Sequence, residues 1–312
     1  MRIVPPALLA LCCAFAFHAT FAADAAKPAP KFKSAQEILD AAPASAWRDL
    51  DPNNTLYLEL ATGRVIIELA PQFAPQHVAN IRAIAKGHWW DGLAIVRSQD
   101  NFVVQWGDPD GDNEKAKGPP PGVKLHLPAE FSTSSRGLAF HVLKDSDGYA
   151  PVVGFVDGLP AGRDPKTGKA WLAHCYGVVG AGRGDAPDSS TGAELYVVTG
   201  QAPRQLDLNI TTVGRVVQGM ELLSVLPRGT GPLGFYEKPG QRVPIKSIRL
   251  AADVPEAQRT PLQVIRTDTP TWDAAVEARR NRRDGWYVHP AGHIDLCNVP
   301  IAARKTPAAR KP

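Results

Sequence analysis

The 312-residue chain contains no apolar run long enough to cross a bilayer. Its one sustained apolar stretch, Ala7 to Phe17, falls short of the ~20 residues a transmembrane helix needs. Met1-Arg2 precedes it, and the small residues Ala19, Ala22 and Ala23 follow, so residues 1–23 are expected to be a secretory signal peptide cleaved after Ala22 or Ala23. Cysteine is scarce: of four, Cys12 and Cys13 would leave with that leader. Acylation at either is opposed by Leu11, which is larger than such sites tolerate before the cysteine. Cys175 and Cys297 remain. An even count in an exported chain permits a disulfide between them, on the order of 4 kcal/mol by the chain-entropy argument, and two separate buried thiols are the alternative.

Several functional classes lack their signatures. There is no Walker loop, dinucleotide fingerprint, HExxH or Gly-x-Ser-x-Gly motif. The acidic turn Asp108 to Glu114 resembles a calcium loop but has no glycine at the sixth position and no glutamate at the twelfth. His289, His293 and Cys297 have the spacing of zinc ligands on a helix, yet Pro290 and Gly292 oppose that helix. No metal and no cofactor is therefore expected. Net charge is only +4, part of it in the basic tail Arg304 to Lys311, which does not make the broad basic face that nucleic acid requires.

What remains is a patterned chain. Residues 24–53 read as an Ala/Pro/Lys linker followed by a short helix, with Ser34 and Glu37 at capping-box spacing. Thr55–Leu60 and Arg64–Leu69 flank a turn at Thr62-Gly63, a hairpin signal. Pro75 to Lys86 has Val78, Ile81, Ile84 and Ala85 at helical spacing, with Gly87 suited to a left-handed C-cap. Over about 138–172, Val142-Leu143 and Val152–Val156 read as an inserted hairpin, and Pro160 to Lys169 as turn. Met220, Leu223 and Leu226 fit a short helix stopped by Pro227. Residues 253–312 form an extension with one helix, Trp272 to Arg283, capped by Thr271. Its Trp272, Trp286, Tyr287 and Leu296 are expected to bury against the barrel.

The most informative stretch is Ile95-Val96-Arg97-Ser98-Gln99-Asp100-Asn101-Phe102-Val103-Val104-Gln105-Trp106-Gly107-Asp108. A bend or bulge between Phe102 and Gln105 would bring both to one groove with Arg97. Its arginine, phenylalanine and glutamine spacing resembles the catalytic strand of the cyclophilins, the peptidyl-prolyl cis/trans isomerases. Gly63–Leu69 with Ala74–Ile81, Gly177–Val179, Gly192–Val198 and Val213–Glu221 match further segments of that family in order, so the resemblance covers roughly residues 54–252.

The resemblance implies a mainly β fold, a closed antiparallel eight-stranded barrel capped by two α-helices. It implies action on X–Pro bonds of unfolded or partly folded polypeptides, here exported to a periplasm or medium. Arg97 would be the catalytic donor. Phe102, Val103 and Tyr196 would line a proline pocket, with Leu206 and Ile210 at its rim. Gln105, Ala181, Gly182 and Glu194 would bind the substrate backbone or flank the arginine. Four departures matter: Glu194-Leu195-Tyr196 replaces the usual Gln-Phe-Phe, Ala181-Gly182-Arg183 replaces Ala-Asn-Ala, Gln205-Leu206 replaces Trp-Leu, and Ile210 replaces a histidine. They make a catalytically weak, cyclophilin-like peptide-binding module or chaperone the alternative, and they make weak cyclosporin binding an expectation.

Overall fold

The structure, a computed structural model, describes residues 32–307 apart from Asp112 and Gly285. The expected leader, most of the linker and the end of the basic tail lie outside those residues.

The described chain opens with α1 (Ala35–Asp40), whose capping box between Ser34 and Glu37 satisfies two orphan amides of its first turn. A short strand, β1 (Trp47–Asp49), leads to the hairpin β2 (Thr55–Leu60) and β3 (Gly63–Leu69). Next, α2 (Pro75–Lys86) lays Val78, Ile81, Ile84 and Ala85 on the core of the curled sheet. Gly87 ends it at φ −77°, so the expected left-handed cap is not formed. The glycine is needed for space instead, since a Cβ would lie 2.5 Å from Pro120.

The second hairpin is β4 (Ala94–Ser98) with β5 (Val103–Gly107). The insertion is larger than a hairpin. It comprises β6 (Thr133–Ser134), β7 (Phe140–Leu143), β8 (Val152–Val156), β9 (Leu159–Asp164) and β10 (Lys169–Leu172), one sheet in the order β6-β10-β9-β8-β7. The stretch expected as turn from Pro160 is therefore mostly strand β9. Gly162 belongs there because a Cβ would meet the Trp171 ring at 2.8 Å.

The barrel resumes with β11 (Val178–Ala181), β12 (Leu195–Val198) and β13 (Thr212–Gln218), then α3 (Met220–Ser224), shorter than the pattern predicts. Last come β14 (Val243–Pro244) and β15 (Ser247–Leu250). These strands make one curled nine-stranded sheet, β14-β4-β5-β12-β11-β13-β3-β2-β15. Its two edges are consecutive in the chain: Ile245 N–H bonds Leu93 O and Lys246 N–H bonds Glu59 O, so residues 243–250 pair with β4 and then with β2.

In the extension, β16 (Leu262–Ile265) pairs with β1 and with β17 (Ala303–Lys305). Between them lies α4 (Pro270–Arg280). Its N-cap is Thr269, not Thr271, because Pro270 suits the first helical position. A second core gathers Trp47, Phe155, Trp171, Ile265, Trp272 and Leu296, and Cys175 and Cys297 are joined there by a disulfide. Trp272 and Leu296 thus bury in this second core and not against the barrel as expected, and Trp286 is 80 % exposed. It is on a loop that sets it edge-on against Tyr287. Among the described residues, no helix is long and apolar enough to cross a membrane.

Candidate active site

The β4–β5 turn is tight: Gln99 N–H bonds Val103 O at 2.9 Å and Phe102 N–H bonds Gln99 O at 3.3 Å, with Asn101 left-handed at φ 50°. Phe102 thus stands at the turn, outside strand alternation, and no bulge separates it from Gln105. The bulge is on the other strand. Ile95 pairs with Trp106 and Arg97 with Gln105, which leaves Val96 as the extra residue. Ile95 is wholly buried in the barrel core. An unbulged strand would send Arg97 to that same inner face, and the extra residue turns it outward.

Register then aligns Arg97, Gln105, Tyr196 and Gly180 on adjacent strands, and directly paired residues share a face. Gly180 leaves room for the neighbouring ring, since a Cβ would fall 2.2 Å from Tyr196. Along the same face Val103 pairs with Val198. Val103, Tyr196 and Val198 are buried, and Phe102 and Ile210 pack on them, an apolar patch beside the guanidinium.

Arg97 is held from several sides. Its Nε–H donates to Leu233 O at 2.6 Å, Nη1 to Gln105 Oε1 at 3.1 Å, and Nη2 to Gln99 Oε1. The rings of Phe102 and Phe235 each lie 5.4 Å from its central carbon. Burial lowers its pKa from the ordinary guanidinium value, yet arginine keeps its charge at any physiological pH. Gln105 Nε2 in turn donates to Glu194 Oε2 at 2.9 Å. Glu194 is therefore linked to Arg97 through Gln105.

The remaining sequence-predicted residues differ in placement. Gly182 lies against this row, its N–H bonded to Glu194 O at 2.8 Å. The Ala181 side chain is in the barrel core, and its N–H bonds Thr211 O. It offers no side chain to a substrate. Leu206 is half-buried on a short helical turn, Arg204–Leu206.

Sequence reasoning missed the support behind Tyr196. Its hydroxyl meets His174 Nε2 at 2.9 Å, and His174 Nδ1 meets Asp207 Oδ1 at 2.9 Å. Arg204 Nε donates to Asp207 Oδ2 at 2.6 Å and forks onto Asp147 at 2.9 and 3.0 Å. Burial pushes the Asp207 carboxyl up, but the bond from His174 and the Arg204 charge outweigh it and hold it below the ordinary value. Burial raises the Tyr196 hydroxyl, which stays protonated. Gln99, Leu233 and Phe235 were also missed, the last two because they lie more than 130 residues from Arg97; the glycines around Leu233 were the available signal of a built loop.

A curled β sheet with an outward arginine beside an apolar patch defines a class, and comparison agrees. Residues 55–250 match the family model for cyclophilin type peptidyl-prolyl cis-trans isomerase/CLD. The chain belongs to that family and is a cyclophilin-type peptidyl-prolyl cis-trans isomerase. It is 27 % identical over 183 residues to a probable peptidyl-prolyl cis-trans isomerase of Brucella suis, covering 58 % of this chain and 74 % of that one. Over a shorter stretch of 54 residues it is 37 % identical to the isomerase ppi1 of Schizosaccharomyces pombe, 17 % of this chain and 35 % of the other. Its fold is similar to the crystal structure of cyclophilin AquaCyp293 from Hirschia baltica, with a TM-score of 0.68 at 23 % identity over 89 % of this chain and 100 % of that one. That likeness runs past the family match.

Proposed function

We propose that this enzyme rotates X–Pro bonds in exported, partly unfolded polypeptides, with Arg97 as the transition-state donor. The observation that carries the reading is the guanidinium turned outward by the Val96 bulge and fixed beside the Phe102, Val103 and Tyr196 patch. Rotation must break amide resonance, a barrier of roughly 18–20 kcal/mol. As the bond twists, the imide nitrogen becomes pyramidal and gains a lone pair. A donor aimed at that lone pair binds the twisted state and not the planar one, so it lowers the barrier. The three bonds to Leu233, Gln105 and Gln99 use three of the five guanidinium donors and set its plane, and the other two serve the substrate. The proline ring rests on the apolar patch, which excludes water from the twisting bond.

We read residues 243–250, paired with β4 at one end and β2 at the other, as the seam that closes the sheet into an eight-position barrel. Export rests on the leader over residues 1–23 and on the Cys175–Cys297 disulfide, a bond that persists in oxidising compartments. Ile210 and Gln205, where the family carries histidine and tryptophan, favour the second reading of a peptide binder with slow turnover. A protease-coupled assay on an X–Pro peptide separates the two. Catalysis predicts that Arg97→Ala costs about 2–4 kcal/mol in the barrier while peptide affinity is largely kept. Equal, near-background rates for wild type and Arg97→Ala would support the binder.

A further inference from the structure

Arg97 is flanked on one side by the segment Gly229 to Tyr236, whose last residue is anchored in the core. It is seated on β4 by two backbone bonds, Gly229 N–H to Ser98 O at 2.9 Å and Tyr236 N–H to Val96 O at 3.0 Å, and by a bridge between Phe235 and Arg97. Internally, Gly231 N–H bonds Phe235 O and Phe235 N–H bonds Pro232 O. The Tyr236 hydroxyl donates to Pro227 O at 2.6 Å. The packing leaves little freedom: a Cβ on Gly234 would lie 2.6 Å from the Gln99 backbone, and one on Gly229 would lie 2.0 Å from Gly234 O. This loop is built and rigid.

It spends that rigidity on an unfavourable presentation. Leu233 is left-handed at φ 56°, a conformation branched apolar side chains rarely adopt, and it is 66 % exposed. Phe235 remains 37 % exposed with its ring beside the guanidinium. Two large apolar side chains are thus left partly in water on the loop that bonds Arg97. The carbonyl of one of them, Leu233, also accepts the Arg97 Nε–H. Strain and exposure of this kind, contiguous with the reacting centre, indicate surface that is covered when substrate binds.

We infer that residues 229–236 form a specificity rim, with Leu233 and Phe235 contacting the residue next to the proline and selecting a large apolar one there. The substrate class is an X–Pro segment of an unfolded chain whose proline is flanked by leucine-like side chains, the kind exposed before folding and hidden after it. The inference rests on Arg97 being the donor in the isomerase reading, since that places the proline's neighbour at the rim.

The test uses peptide pairs that differ by leucine against glutamine beside the proline, varied on either side in separate series. The wild type should turn over the leucine peptide about tenfold more efficiently in one series, the range a hydrophobic subsite gives for a change of this size. Leu233→Gly deletes the side chain at a φ that glycine adopts freely, so the loop and its carbonyl anchor persist. Its leucine preference should fall severalfold. An unchanged leucine-to-glutamine ratio in Leu233→Gly, or no preference in the wild type in either series, overturns the rim. If the wild type turns over neither peptide, the isomerase reading fails on its own account. Fluorescence anisotropy with the same peptides, dye-labelled, then decides the rim separately: tighter leucine binding that Leu233→Gly abolishes supports it, and equal affinities contradict it.

Discussion

Glu68 on β3 stands between two arginines, Arg48 Nη1 at 2.6 Å and its register partner Arg215, whose Nε is 3.8 Å away. Burial pulls Arg215 down to about 10, opposed by the Glu68 charge. Glu68→Gln removes the compensating charge and leaves a buried cation, so unfolding in urea should show a loss of about 3–5 kcal/mol. Asp207 carries the opposite lesson. With its folded pKa below the ordinary 3.8, the unfolded chain takes the proton more readily. Its contribution is therefore complete above the unfolded value and lost as pH falls through the lower folded one. Asp207→Asn should lower the thermal midpoint at neutral pH and flatten its decline between about pH 5 and pH 2; an acid limb identical to wild type would show that this carboxylate is not depressed. At this scale the sequence showed Arg97, Phe102 and Gln105 through their spacing. The resemblance also pointed to Glu194, but Leu233 and Phe235 stayed hidden because they arrive from a distant loop.

At the scale of elements, the bounds of α2 were legible, since Pro75 at its start and the apolar spacing to Ala85 are local signals. Its cap was not. Ala74 has no side chain to cap with, and the acceptor is Glu130, bonded to the amides of Gln76 at 3.0 Å and His77 at 2.9 Å and to the His77 ring at 2.7 Å. Glu130→Ala should cost about 1–2 kcal/mol in a denaturation curve, as loss of a helix N-cap does; no change would mean the first turn is satisfied otherwise. The Val96 bulge was equally hidden, because an extra residue in a strand leaves no mark until its partner is known. Strand β9 was misread because Pro160, Gly162 and Asp164 are turn residues locally, whereas Gly162 is there to let Trp171 cover it.

Across the whole molecule, the disulfide ties Cys175, just before β11, to Cys297 in the extension, a separation of 122 residues. The count of cysteines left that pairing open against two thiols, since proximity is a property of the fold. Cys297→Ser should lower stability by about 4–5 kcal/mol on the chain-entropy estimate, read from calorimetry. Deleting residues 253–312 removes β16, the partner of β1, with Trp272 and Leu296 from the second core. A folded barrel of lower thermal midpoint is expected, and an unchanged midpoint would show the extension to be a passive appendage. Exchange NMR observes the action of this assembly on a peptide most directly, without a coupling protease. With catalytic amounts of wild-type protein, an X–Pro peptide should show exchange cross-peaks between its cis and trans signals within a mixing time too short for uncatalysed rotation. With Arg97→Ala at the same concentration those cross-peaks should vanish; if they persist undiminished, Arg97 is not the donor.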